Sequence, residues 1–202
     1  MEQAILARHG ESVFSVRGAM NGDPSVDCPL TDLGREQATL LAAALAGERI
    51  DLCVTSEFER VQETADLVLA GRDVTRLVLP ELNDIRVGDY EGKPLADYRG
   101  WARAQDPGVE AAGGGESRAS VTRRYVQAYR TILARPERTI LVVTHGLPIR
   151  YVLNAVGGQD PTPVLDQIPY AEPHRISREE LEAAVDRLAA WAERPSWSSP
   201  SA

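Results

Sequence analysis

Four short apolar runs, separated by longer segments with helical spacing, constrain the fold of this chain most. The runs are rich in Val, Ile and Leu and are bounded by turn or polar residues, at Ala4–Ala7, Ile50–Ser56, Arg76–Leu82 and Thr139–Gly146. Such runs are typical of strands covered on both faces. The intervening segments repeat apolar residues at helical spacing, over Thr31–Ala46, Ser56–Ala70 and Ser117–Ala134. Alternation of strand and helix predicts an α/β sandwich.

Capping signals support these boundaries. Ser56-x-x-Glu59 and Ser177-x-x-Glu180 have the pattern of a capping box, and Pro148 follows the fourth run where a first helical turn would begin. Length and the 43% hydrophobic content favour one domain over residues 1–193. Residues 106–117 form a flexible loop by composition, and residues 194–202 read as a flexible C-terminal tail.

The charge and the cysteine content exclude several classes of protein. A net charge of −8 disfavours binding to nucleic acid or to anionic membranes, and no apolar run reaches membrane-spanning length. Cys28 and Cys53 are too few for a disulfide framework and lack the spacing of a zinc site, which fits a reducing cytosol. We therefore expect a cytoplasmic protein. Residues 168–177 are a candidate edge strand, and the helix at 178–191 is a candidate surface for a homo-oligomer.

Two of the predicted strands end in a histidine, and a third ends at a helix with an arginine in its first turn. These residues are His9 after Arg8, His145 in "VVTHG", and Arg60. In open α/β sheets ligands bind beyond the carboxyl ends of the strands, so parallel neighbours would bring all four side chains to one edge. Guanidinium groups match phosphate oxygens, so the pattern predicts a phosphate pocket. Each residue alone also has an ordinary explanation, a core histidine for His145 and a helix-surface residue paired with a nearby glutamate for Arg60.

Six blocks in order resemble the histidine phosphatase superfamily, in the branch that contains cofactor-dependent phosphoglycerate mutase and related small phosphatases. The blocks are "LARHGES", "CPLTDLGREQA", "TSEFERVQETA", "LNDIRVGDYEG", "GGES" and "VVTHG", and they cover roughly the first 155 residues. The resemblance implies a three-layer sandwich with a mainly parallel central sheet flanked by helices.

The resemblance also implies roles for individual residues. His9 becomes the nucleophile that forms a phosphohistidine, while Arg8, Arg60 and His145 hold the transferring phosphoryl group. The family commonly places a glutamate acid where this chain has Asp84, which makes Asp84 the candidate general acid. The alternative is that Asp84 only stabilises a turn.

Further positions concern the substrate. Alignment with the family pattern puts Ser15 where an asparagine commonly reaches the phosphate, Ala19 where an arginine is frequent, and Asn21 at a polar position facing the pocket. We expect Ser15 and Asn21 to bind substrate, and Glu116 either to line the mouth or to start a helix.

The residue types predict a reaction without a metal or another cofactor. A neutral imidazole is a competent nucleophile near pH 7, and covalent capture divides the hydrolysis into two steps. Two guanidinium groups and a protonated His145 would neutralise the phosphoryl charge, and no metal-binding sequence pattern is present.

Three functions remain open. The first is a phosphatase acting on a small phosphorylated metabolite, the second is a mutase of glycerate or sugar phosphates, and the third is a catalytically silent phosphate-binding protein. The mutases carry a long arginine-rich insertion after the "EG" block, whereas this chain has about twenty residues there, with Arg99 and Arg103 as scattered cations. A short, open mouth favours hydrolysis. We expect this mouth to be weakly cationic and to favour a monophosphorylated substrate.

Overall fold

The computed structural model describes residues 1–164 and 166–197 as an α/β protein built on one five-stranded sheet. The strands are β1 (Gln3–Arg8), β2 (Leu52–Thr55), β3 (Thr75–Val78), β4 (Thr139–Thr144) and β5 (Pro173–Ser177), in the spatial order β3-β2-β4-β1-β5. The first four strands are parallel, and β5 pairs with β1 in the antiparallel direction. The predicted fold class, with a mainly parallel sheet, is confirmed.

Helices cover both faces of the sheet. They are α1 (Val13–Arg17), α2 (Asp32–Ala44), α3 (Glu59–Val68), α4 (Leu95–Ala104), α5 (Arg118–Leu133), α6 (Gly146–Val156) and α7 (Arg178–Glu193). Two single 3-10 turns lie at Pro80–Leu82 and Gly88–Tyr90. Within the two described stretches, no helix has the length and apolar character needed to cross a membrane.

The alternation of side chains along the central strands produces the three layers. In β1, Ala4 and Leu6 belong to the core shared with α5, α6 and α7, whereas Ile5 and Ala7 belong to the core shared with α2 and α3. The strand β4 divides in the same way, and its residues from Ile140 to Val143 are fully buried. Continuous apolar runs therefore form these strands because both faces are covered.

Two local predictions were wrong in detail. No side chain caps α3, which begins at Glu59 with Phe58 as its N-cap, because the hydroxyl of Ser56 bonds to His145. The run at Arg76–Leu82 is not one strand: β3 ends at Val78, and a 3-10 turn follows from Pro80, which has no N–H to donate to a ladder. The capping box at Ser177 is present, and Pro148 lies in the first turn of α6.

The C-terminal part of the chain packs against the rest of the same chain. The strand β5 is an edge strand, and the apolar face of α7 is buried in the core beside α5 and α6. Trp197 donates its indole N–H to the carbonyl oxygen of Gln105 at 2.8 Å, so this residue of the predicted tail contacts the body. Residues 198–202 of that tail lie outside the described residues. The single domain over residues 1–193 stays a prediction.

A close backbone contact fixes the end of β1. A Cβ atom on Gly10 would lie 2.3 Å from the carbonyl oxygen of Gly34, and a Cβ on Gly34 would lie 2.0 Å from that of Glu11. Only glycine permits this approach of the β1 end to the start of α2. The amide of Gly10 also donates to the hydroxyl of Thr64 on α3 at 3.1 Å. The residue before Gly10, His9, is thereby held between β1, α2 and α3.

Candidate active site

The predicted edge of the sheet does collect the predicted residues. Arg8 pairs with Thr144 in the β1–β4 register, and Thr55 pairs with Val143 in the β2–β4 register. The next residues along these strands, His9, Ser56 and His145, therefore emerge together at the carboxyl edge. The rings of His9 and His145 are buried, with centroids 5.4 Å apart.

Arg60, in the first turn of α3, lies between the two imidazoles. Its Nε donates to Nε2 of His9 at 3.2 Å, and its NH2 donates to Nδ1 of His145 at 3.3 Å. A guanidinium group can only donate, so both imidazole nitrogens must be acceptors. The other nitrogens then carry the protons: Nδ1 of His9 donates to the carbonyl of Gly10 at 2.7 Å, and Nε2 of His145 donates to Oγ of Ser56 at 2.9 Å. Both histidines are neutral tautomers with fixed orientations.

The electrostatics agree with neutral imidazoles. Burial, reinforced by the charges of Arg60 and Arg8, holds the pKa of His9 well below its ordinary value. Burial also holds the pKa of His145 well below its usual range, and Arg60 is the next cause. His145 is therefore neutral in the ligand-free protein, whereas its protonation while it holds a phosphoryl group stays a prediction.

Arg8 is fixed by the segment before β5. Its NH1 donates to the carbonyl oxygen of Ile168 at 2.7 Å, and its guanidinium carbon lies 3.9 Å from the centroid of the Tyr170 ring. The buried Nε of Arg8 has no hydrogen-bond partner among the described residues. Arg8 is thus oriented by one carbonyl and one aromatic face, and retains donor capacity for a ligand.

Asp84 lies beside both cationic and imidazole groups without a tight bond to either. Its Oδ2 is 3.8 Å from NH2 of Arg60 and 3.7 Å from Nδ1 of His145, while its Oδ1 accepts from the amide of Ile85 at 2.9 Å. The side chain is 27% exposed, so it faces the open part of the site. One oxygen therefore stabilises the local turn and the other faces Arg60 and His145, while the role of Asp84 as general acid stays a prediction.

An ion pair outside the cavity holds the Asp84 loop. Arg124 on α5 bonds both carboxylate oxygens of Glu116 at 2.8 Å, and it donates to the carbonyls of Asn83 at 2.8 Å and Asp84 at 3.1 Å. Glu116 is 4% exposed and precedes the N-cap of α5, so it starts a helix and does not line the cavity that contains His9. The Arg124–Glu116 ion pair therefore positions the backbone that carries Asp84.

Ser15 and Asn21 both lie at the site, but their polar groups are already engaged. Asn21 accepts a hydrogen bond from NH1 of Arg60 and donates to the carbonyl of Asp23 at 3.1 Å and to Glu91 at 3.2 Å. Ser15 lines the cavity, and its hydroxyl forms the capping box of α1 with Ser12 at 2.9 Å. This geometry favours a positioning role for Asn21, towards Arg60, over the substrate contact expected from the sequence.

The cavity at this edge is small and strongly cationic. Its volume is about 270 Å³, and two carboxylates, Asp84 and Asp166, line it. Six arginines also line it: Arg8, Arg60, Arg99, Arg103, Arg118 and Arg150. The expectation of a weakly cationic mouth is therefore wrong, because the packing of α4 and α5 brings together arginines that are scattered in the sequence. The part of the chain that is described contains no cluster of three or more His, Cys, Asp or Glu side chains able to hold a metal ion.

Three of the site's residues gave no clear signal in the sequence. Ser56 looked like a helix cap, and its hydroxyl instead selects the tautomer of His145. Tyr170 and Arg124 are remote in sequence from the residues they orient. For Ser56, its place as a polar residue directly after a buried strand is a weak sequence signal of a role in the site.

Comparison with known proteins agrees with this geometry. Residues 4–194 match the model of the histidine phosphatase superfamily, branch 1. The chain is 34% identical over 149 residues to an adenosylcobalamin/alpha-ribazole phosphatase of Salmonella typhimurium, covering 69% of this chain and 72% of that protein. It is 30% identical over 170 residues to a probable phosphoglycerate mutase of Yersinia enterocolitica, covering 80% of this chain and 77% of the relative. The crystal structure of the alpha-ribazole phosphatase from Shigella flexneri superposes with a TM-score of 0.72 at 28% identity, covering 86% of this chain and 89% of that one.

Proposed function

Because the chain belongs to the histidine phosphatase superfamily and is a phosphoric monoester hydrolase of that family, we propose that it acts through a phosphohistidine formed on Nε2 of His9. The observation that carries the proposal is the fixed tautomer of His9. Its Nδ1–H is bonded to the carbonyl of Gly10, so Nε2 carries the lone pair that accepts from Nε of Arg60 in the free protein and that is available to phosphorus once Arg60 turns to the phosphoryl oxygens. A buried, neutral imidazole held in this way is an activated nucleophile.

In the first step, Nε2 of His9 forms a bond to phosphorus while the bond from phosphorus to the leaving oxygen breaks. The oxygens of the phosphoryl group take over the N–H donors of Arg60 that face His9 and His145 in the free protein. Arg8, which lines the same cavity, contributes its unpaired Nε. Fixed guanidinium donors stabilise the charge on the equatorial oxygens, so the proposal requires no metal.

Asp84, in its protonated form, donates its proton to the leaving oxygen, and an alcohol departs. A water molecule then attacks the phosphohistidine, Asp84 accepts a proton from this water, and inorganic phosphate leaves with His9 restored. Asp84 is 3.7 Å from Nδ1 of His145, which supports its placement beside the reacting atoms.

The substrate that we propose is a small phosphorylated metabolite, because the cavity of about 270 Å³ admits little more than a small molecule. The cytoplasmic location and a homo-oligomer remain predictions from the sequence. Cys28 and Cys53 are both buried and free, which is compatible with a reducing compartment.

The test is the hydrolysis of p-nitrophenyl phosphate in the presence of EDTA, with wild type, His9→Ala and His174→Ala. We expect turnover in wild type, loss of at least about 10³-fold in His9→Ala, and activity close to wild type in His174→Ala, whose histidine lies in β5 outside the cavity. Rapid quenching should trap a phosphoenzyme that is labile to acid and absent in His9→Ala.

Two other outcomes would replace the proposal. Full activity of His9→Ala would exclude the phosphohistidine. Transfer of a phosphoryl group from a bisphosphorylated glycerate to a monophosphorylated one, with little release of phosphate, would favour the mutase reaction suggested by the Yersinia relative.

A further inference from the structure

A half-buried glutamate, Glu91, lies behind the active site and takes no part in the proposed reaction. It follows the 3-10 turn Gly88–Tyr90 and does not line the active-site cavity. Its two carboxylate oxygens accept different hydrogen bonds: Oε1 accepts from Nδ2 of Asn21 at 3.2 Å, and Oε2 accepts from the amide of Gly22 at 2.8 Å. Glu91 therefore holds two successive residues at the edge of the cavity.

Main-chain contacts fix the place of this carboxylate. The amide of Gly92 donates to the carbonyl of Met20 at 3.0 Å, and the amide of Met20 donates to the carbonyl of Lys93 at 2.9 Å. The backbone of Gly22 is packed closely on the other side, since a Cβ atom there would lie 2.3 Å from the carbonyl oxygen of Ile85. The carboxylate and the residues that it holds are therefore fixed in place before a substrate binds.

The side chain of Asn21 connects Glu91 to Arg60. Oδ1 of Asn21 accepts from NH1 of Arg60, and the main-chain oxygen of Asn21 accepts from NH2 of Arg60 at 3.3 Å. An amide can turn either its oxygen or its nitrogen towards a neighbour, but a guanidinium group only donates and a carboxylate only accepts. Asn21, placed between the two, therefore has one orientation. The bond to the carboxylate also polarises the amide and strengthens the bond that Oδ1 accepts from Arg60.

Arg60 depends on this support because its other nitrogens face the reacting groups. Its Nε and NH2 point to His9 and His145, and they are the donors proposed to take the phosphoryl oxygens. Within residues 1–164 and 166–197, only Asn21 bonds NH1 of Arg60, and the nearest carboxylate, Asp84, lies 3.8 Å from NH2. The plane of the guanidinium group is therefore set by Asn21.

We propose that Glu91 is a positioning residue for phosphoryl transfer, which acts through Asn21 to hold the guanidinium plane of Arg60. This inference rests on the proposed function, because it assumes that the phosphoryl group meets Arg60 beside His9. Arg60 contacts the phosphoryl group and not the leaving group, so the loss of Glu91 should slow the hydrolysis of all phosphomonoesters alike.

The test measures kcat/KM for p-nitrophenyl phosphate and for glycerol 1-phosphate. Glu91→Ala should lower both values by about 10–10²-fold, with the two losses within about threefold of each other, because a misplacement of about 1 Å can cost 10²-fold. Glu91→Gln keeps the shape of the side chain but adds a donor, which lets Asn21 turn its nitrogen towards Arg60, and it should lose about tenfold. Glu36→Gln, at an exposed position on α2 outside the cavity, is the control and should leave both values unchanged.

A double-mutant cycle separates this route from a general loss of structure. If Glu91 acts through Asn21, the loss caused by Glu91→Ala should disappear, to within about twofold, when Asn21 is already alanine. A general disturbance of the fold would instead multiply the two losses. If Glu91→Ala does not fold, Glu91→Gln takes its place in the cycle.

The inference is overturned if the variants of Glu91 keep wild-type kcat/KM, if the loss is confined to alkyl phosphates, or if it multiplies with that of Asn21→Ala. Each of these results would leave the proposed function intact, because that function depends on turnover and on the phosphoenzyme. Absence of turnover with every phosphomonoester, together with absence of a phosphoenzyme in wild type, would instead reject the proposed function.

Discussion

The replacement Asp84→Asn tests the chemistry of the site most directly, because the contacts that hold Asp84 in place do not need the proton that it is proposed to transfer. Oδ1 accepts from the amide of Ile85 at 2.9 Å, a bond that an asparagine oxygen can also make. Oδ2 lies 3.8 Å from Arg60 and 3.7 Å from His145, too far for hydrogen bonds that the replacement would break. The main loss is therefore the transferable proton.

The expected magnitude depends on the leaving group. General acid catalysis contributes about 10²–10⁴-fold, so kcat/KM for alkyl phosphates such as glycerol 1-phosphate should fall by that factor. The loss for p-nitrophenyl phosphate should stay within about tenfold, because a nitrophenolate departs without a proton. Phosphate should inhibit the variant at least as strongly as wild type, since a negative charge 3.8 Å from Arg60 has been removed.

The assay measures kcat/KM for a series of phosphomonoesters of increasing leaving-group acidity, in wild type and in each variant. Asp73→Asn, which changes an exposed carboxylate in the loop between α3 and β3, is the matched control and should leave the series unchanged. Asp84→Glu keeps a carboxyl group, so its kcat/KM for alkyl phosphates should stay within about tenfold of wild type. Equal losses of Asp84→Asn across the whole series would refute the assignment of Asp84 as the acid.

Two further predictions concern stability and pH. Arg124→Met leaves the buried carboxylate of Glu116 without its main partner and should lower the free energy of unfolding by about 3–5 kcal/mol. Urea denaturation measures this loss. Adding Glu116→Gln removes the unpaired charge and should recover part of the lost stability. The folded-state pKa values of His9 and His145 lie well below their ordinary value. Below about pH 6.5 the unfolded chain therefore binds more protons than the folded protein, and the free energy of unfolding should fall as pH falls towards the folded-state values. A urea series from pH 7 to pH 5 should show this slope, and the double variant His9→Gln, His145→Gln should flatten it; an unchanged slope would contradict neutral, buried imidazoles.

The central sheet could be predicted from the sequence because β1, β2 and β4 are buried on both faces and leave continuous apolar runs. The meeting of His9, Arg60 and His145 followed from one rule, that the carboxyl ends of parallel strands share an edge. Their exact roles in the ligand-free protein did not follow. The charge state of His145 depends on which side of each ring Arg60 occupies, and that is a matter of side-chain geometry.

The cationic wall could not be predicted for a different reason. Arg99 and Arg118 belong to helices separated by a loop, and helical periodicity gives the buried face of each helix but not the direction from which two helices approach a cavity. Ser56 was misassigned because the pattern Ser-x-x-Glu matches a capping box, while the tertiary bond to His145 takes the hydroxyl. At such positions, contacts between distant parts of the chain override the local sequence pattern.

The cavity wall is built partly from strand ends and partly from helices, and this difference affects which substitutions such an enzyme can tolerate. Arg8, the proposed nucleophile His9 and His145 stand at the ends of β1 and β4, in a sheet whose buried interior tolerates little change. Arg99 and Arg103 line the same cavity from α4, which contributes no residue to the sheet. Positions on α4 can therefore vary without direct contact with His9, and a library confined to residues 95–104, which leaves the Arg124–Glu116 ion pair intact, should alter substrate preference while keeping the proposed phosphohistidine on His9.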